Sequence, residues 1–123
     1  MKSVIRKGGV YWVSDSSLTL PPNDKRKIKP RRPVLVLSGD ATNEDPQWPI
    51  VLVAPISTSP AMKTDFCLKL GAGTANLPEK GWVRIVALQP LVKEDIADYV
   101  GHLPAAMLAI VEENLFAYME LIS

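Results

Sequence analysis

The sequence predicts a mainly β domain: an antiparallel, strongly curved sheet forming a small barrel, with one α-helix appended at its C-terminal end. Three observations carry this reading. Five short apolar or alternating segments follow one another between residues 8 and 92. The connections between them are too short for the helical crossovers that parallel strands need. After residue 103 the apolar period changes from two to between three and four.

Each element has its own signal. GGVYWVSD (8–15) is rich in aromatic and β-branched residues after two glycines, which suits a first strand. Residues 16–31 carry two adjacent prolines, Asn23 and a basic run, and are expected to be a long mobile loop. RPVLVLSG (32–39) is a near-continuous apolar run, as expected of a strand buried on both faces. DATNEDPQWP (40–49) reads as a turn or loop, and IVLVAPIS (50–57) as a third strand in which Pro55 withholds a ladder donor. DFCLKLG (65–71) alternates as a fourth strand does, and WVRIVALQPLV (82–92) reads as a long fifth that Pro90 bends or puts at an edge. In residues 104–122, Met107, Val111, Leu115, Tyr118 and Ile122 recur at steps of three and four, predicting an amphipathic helix of about five turns that starts at Pro104.

With 123 residues and 47% apolar content, the chain is expected to form a single domain over 1–123 with its own core. The single cysteine, Cys67, permits no intramolecular disulfide and suits a reducing compartment. MKSVIRKGG lacks the apolar stretch of a secretion signal, and no apolar run reaches the roughly 20 residues that span a bilayer. The expected setting is the cytoplasm. Net charge is only +1 but divided: residues 1–32 hold nine Lys and Arg against Asp15 and Asp24, whereas residues 94–123 hold six acids and no Lys or Arg. Within KRKIKPRR (25–32) six of eight residues are basic, which points to a surface that meets a polyanion.

Five segments in this order resemble the MazF/PemK family, the ribonuclease toxins of bacterial toxin–antitoxin pairs. They are GGVYWV, RRPVLVLSGD, VLVAPISTSP, LPEKGWVR and GHLPAAMLAIVEENL, spread over nearly the whole chain. The resemblance implies an SH3-like barrel with a terminal helix. It further implies a homodimer that cuts single-stranded RNA without metal or cofactor, and a cognate acidic antitoxin that blocks the same surface.

Metal-free RNA cleavage proceeds by attack of a 2′-hydroxyl on the adjacent phosphodiester and needs cationic donors for the charge that develops on phosphorus. Arg32 matches the family's catalytic arginine before proline, and its planar fork suits a phosphate. Ser57 and Thr58 stand where the family places a hydroxyl; Ser57 matches better, and a one-residue slip selects Thr58. Lys25, Arg26, Lys27, Lys29 and Arg31 are expected to bind RNA as a group. Arg84 is either a second phosphate contact or a solvent-facing residue between buried Val83 and Ile85. Trp12 and Trp82 read as core residues, Trp48 as an exposed platform, His102 as structural and Cys67 as a buried strand residue. No Cys/His cluster has metal-ligand spacing.

One departure from the family stands out. Where many members carry an Asp on the fifth strand, this chain reads Ile85, Val86, Ala87 and Leu88, so a carboxylate would have to come from Asp40 or another loop acid. That gap leaves two further readings on the same scaffold: a CcdB-like toxin that binds gyrase, and a nucleic-acid-binding protein without catalysis.

Overall fold

Valine, tyrosine and tryptophan hold the backbone of Gly9–Ser14 extended, and this segment is strand β1. The computed structural model of the chain describes residues 4–20, 27–60 and 63–122. The remaining strands are β2 (Arg31–Val36), β3 (Ile50–Ser57), β4 (Leu68–Leu70), β5 (Gly81–Val83), β6 (Gln89–Val92) and β7 (Tyr99–His102). A single helical turn, α1 (Asp40–Asn43), joins β2 to β3, and a long helix, α2 (Ala105–Tyr118), follows β7. All pairings are antiparallel, in the order β4-β5-β3-β2-β1-β7, with β6 also paired to β3. The result is a mainly β fold, a curled antiparallel sheet with a C-terminal helix.

The curl is written in β3. Its first half, Ile50–Val53, pairs with β6, and its end, Ile56 and Ser57, pairs with β5. The single fifth strand expected over 82–92 is therefore two strands. They part at Arg84, whose backbone (φ −87°, ψ 77°) enters a 3₁₀ turn over Ile85–Ala87. Pro55 has no N–H for the ladder, and its carbonyl accepts instead from the Arg84 N–H at 2.8 Å, bridging the two halves. Strand β7 was not expected either. It is short, contains Gly101, and pairs with β1 across a bulge between Val10 and Tyr11.

Alternation along the central strands divides the interior in two. Register partners Val10, Leu35 and Ala54 belong to one cluster with Ile56, Leu70, Val83 and Leu103. Their neighbours Tyr11, Val34 and Val53 belong to the other, with Val13, Leu18 and Ile96. The strand at 32–39 is thus buried on both faces, as its unbroken apolar run implies.

Helix α2 covers the first cluster through buried Val111, with Met107, Leu108 and Leu115 packed beside it. The apolar stripe holds at 107, 111 and 115 but not at its end: Tyr118 and Ile122 are 46% and 45% exposed. The helix is also shorter than the expected 104–122. Glu120 takes φ +59° and the Leu121 N–H bonds the Phe116 carbonyl at 2.8 Å, which closes the last turn. In the 16–31 loop, buried Leu18 and Leu20 tie down the first part, and residues 21–26, including Lys25 and Arg26, lie outside the described residues.

The turn before β5 rests on β7. Ala75 and Asn76 both have positive φ (50° and 60°), and Asn76 Nδ2 donates to the Val100 carbonyl at 3.2 Å. A methyl group at Gly101 would run into the carbonyl of Ala75. Gly101→Ala should therefore lower stability by about 1–3 kcal/mol, read from the urea midpoint, because a packed backbone must move; an unchanged midpoint would contradict this packing.

Candidate functional site

The site forms where the loop after β1 lands on β2. Arg32 opposes Val13 in the β1–β2 ladder and is 6% exposed. Its Nε donates to Asp15 Oδ1 at 2.7 Å and Nη2 donates to Asp15 Oδ2 at 3.3 Å, a two-pronged ion pair. Asp15 itself is wholly buried and also accepts the Lys29 N–H at 2.8 Å. One carboxylate thus fixes the guanidinium and the returning end of the loop together.

Arg32 thus lies largely beneath the surface, held from behind by Asp15, an acid that the sequence does not mark as part of the site. Asp15 sits in VSDSS, an ordinary turn composition. The signal available was an acid one residue past a strand that pairs antiparallel with a basic one.

Arg32 remains next to the hydroxyls. Its Nη1 donates to the carbonyl of Ile56 at 3.3 Å, the residue before Ser57. Lys29 Nζ donates to Thr58 Oγ1 at 2.9 Å. Ser57 is folded into its own turn, its Oγ accepting the Ser59 N–H at 3.3 Å, and is 6% exposed. Of the two hydroxyls, Thr58 is the one that lines the adjoining pocket.

That pocket has a volume of about 350 Å³. Trp12, Pro33, Ile56, Leu77 and Pro78 give it apolar walls, and Lys29, Arg31, Arg32, Thr58, Glu79 and Lys80 give it polar ones. Trp12 is only half-buried, a correction to its expected place in the core, and the Arg31 guanidinium lies 4.1 Å over its ring. Lys27 is exposed.

Arg84 corrects both expectations for it. It is 4% exposed, outside the pocket lining, and its Nη2 donates to the Ser59 carbonyl. Strand alternation fails here because the chain leaves β5 at Val83, so Arg84 turns beneath the 57–59 turn and braces it.

Trp82 is buried, with Lys63 and Lys69 near its ring, and Trp48 is 49% exposed. His102 bonds the carbonyls of Leu103 and Lys7, a structural placement. Cys67 is half-buried in the turn before β4 rather than buried in a strand.

Asp40 does not supply the carboxylate missing from the fifth strand. It accepts the Lys7 N–H at 2.7 Å and Asn43 Nδ2 at 3.3 Å, at the other end of β2. The Lys7 bond, then Asn43, holds its carboxyl below the ordinary carboxylate value of 3.8. A depressed folded pKa stabilises the fold above the unfolded value and loses that contribution as pH falls through the folded one. Asp40→Asn should therefore be less stable than the parent near neutrality and converge with it as pH falls through the folded-state value. A gap that persists unchanged in acid would contradict this.

Breaking a buried ion pair from one side strands a charge. Asp15→Ala should cost about 3–5 kcal/mol of unfolding free energy, whereas Asp15→Leu combined with Arg32→Met should recover much of it. A double variant as unstable as the single one would show that the charges are not coupled.

Among relatives, the chain is 31% identical over 119 residues to endoribonuclease MazF2 of Mycobacterium bovis, covering 96% of this chain and 99% of that protein. The same values hold for endoribonuclease MazF6 of Mycobacterium tuberculosis. Among solved structures it resembles MazF of Deinococcus radiodurans, with a TM-score of 0.69 and 25% identity over 97% of this chain and 99% of that one. A mycobacterial endoribonuclease in complex with its cognate antitoxin gives a TM-score of 0.70 at 17% identity, with 98% of each chain covered. Residues 6–118 match the model of the PemK-like, MazF-like toxins of type II toxin–antitoxin systems, and the chain belongs to that family.

Proposed function

We propose that the protein is the endoribonuclease toxin of a type II toxin–antitoxin pair, acting on single-stranded RNA in the cytoplasm without a metal ion. The observation that carries this reading is the convergence of Arg32, Lys29 and Thr58 on one pocket, with Asp15 fixing the arginine.

The 2′-oxygen attacks the adjacent phosphorus, the bond to the 5′-oxygen breaks, and a 2′,3′-cyclic phosphate and a 5′-hydroxyl end result. The 2′-hydroxyl proton leaves as the bond forms, and the departing oxygen takes one up. A guanidinium has five N–H groups. Three of those of Arg32 are committed, to Asp15 twice and to Ile56 once, so two remain for non-bridging phosphate oxygens. Burial beside a fixed carboxylate makes this a pre-oriented donor, the property that stabilises charge as it develops. Lys29 adds a second cation, and Thr58 Oγ1 is placed to orient the 2′-hydroxyl or hold a phosphate oxygen. Exposed Lys27 and Arg31 add positive charge beside the pocket, and Lys25 and Arg26 of the same basic run are read as further phosphate contacts, which set position and make affinity depend on salt.

The gyrase-directed reading drew support from the absent strand carboxylate. Asp15 supplies an acid against the arginine from the first loop instead, and that support lapses. The same basic surface suits an acidic segment of a cognate antitoxin, which would exclude RNA by occupying it, and the active form is read as a homodimer.

Arg32→Ala is a poor test, since it strands Asp15. Arg32→Lys keeps a cation against the carboxylate but loses the fork. Its cleavage of unstructured RNA should fall about 10²-fold or more with the circular dichroism spectrum retained, and the parent should cut equally well in excess EDTA. Full activity in folded Arg32→Lys, or loss of activity with chelator, would overturn the reading.

A further inference from the structure

The pocket beside Arg32 holds one feature that binding a polyanion does not explain. Lys29, Arg31, Arg32 and Lys80 line it with positive charge, yet Glu79 stands among them. Glu79 is exposed and makes no hydrogen bond or ion pair with a described residue. A free carboxylate repels an arriving phosphodiester, so its place in this lining calls for a compensating donor on the ligand.

The rest of the pocket indicates which part of the ligand that is. Trp12, Leu77 and Pro78 form apolar walls, and the Arg31 guanidinium is already stacked on Trp12, a platform on which a planar base can lie. The volume of about 350 Å³ falls at the small end of ligand sites, which run from roughly 300 to 1,000 Å³. It suits one nucleotide. The wall carrying Glu79 is held in place: the Gly73 N–H bonds the Leu77 carbonyl at 2.8 Å, and Asn76 is tied to Val100.

An ionised carboxylate only accepts hydrogen bonds. Guanine alone among the four bases offers two parallel donors on its Watson–Crick edge, N1–H and the N2 amino group, which match two carboxylate oxygens. Adenine and cytosine set a single amino group beside a ring nitrogen that repels the carboxylate. Uracil sets one N–H between two carbonyls. We propose that Glu79 makes this pocket a guanine-selective base site beside the cleaved linkage. The inference rests on the ribonuclease reading for its location, and on the pocket alone for its selectivity.

The test uses the full chain and two RNA pools randomised around one position. The first is ordinary RNA, cut by the parent and by Glu79→Gln, with the new 5′ ends sequenced. The second is 2′-O-methyl RNA, which cannot be cut and is selected by filter binding. Guanine should be preferred about tenfold or more at one fixed position in both pools. Inosine there, which lacks the N2 amino group, should weaken the preference for the parent, and Glu79→Gln should bring the guanine ratio near one. No guanine preference at any position, or a preference that survives Glu79→Gln, would overturn the proposal. Selective binding of guanine by a parent that leaves the ordinary RNA pool uncut would support Glu79 while sinking the ribonuclease reading.

Discussion

A single buried ion pair organises this molecule's working end. Asp15 has no exposed surface, and removing its charge from water is costly unless the partner is close and its lone pairs are filled. Arg32 Nε and Nη2 and the Lys29 backbone N–H meet that requirement. The cost of leaving it unmet is what makes the geometry specific. The loop cannot drift while its returning end is bonded to the same carboxylate that orients the arginine.

The sheet sets that pair against a pocket. The antiparallel register of β2 and β3, with Val34 opposite Pro55, carries the hydroxyl-bearing turn after Ile56 to the start of β2. Arg84 then supports that turn from below, and the wall at 77–80 is held against β7 through Asn76. Three elements distant in sequence thus meet at one opening. Each has a backbone group tied by a short hydrogen bond, which is the mounting that a group acting on developing charge requires.

Much of the architecture was legible in the chain because it rests on period. The unbroken run at 32–39 implied a strand buried on both faces, and the change to steps of three and four implied the terminal helix. The split at Arg84 was not legible, since WVRIVALQPLV alternates plausibly throughout and the break comes from the curl of β3, a tertiary effect. β7 was missed because four residues including glycine give too weak a pattern. At the candidate site, Arg32 and the Ser57–Thr58 pair were singled out by their match to the family's motifs. Asp15 was invisible for a physical reason: its role is defined by cross-strand proximity and burial, and neither leaves a trace in SDSS. The depth of Arg32 followed from the same partner and was missed with it.

The most direct measurement is a double-mutant cycle on the single-turnover rate of RNA cleavage, using Asp15→Asn and Arg32→Lys in folded protein. If Asp15 acts through the arginine, the double variant should be no slower than Arg32→Lys alone, with a coupling of about 1–3 kcal/mol. Losses that multiply, leaving the double variant slower by the product of the two single effects, would contradict the account.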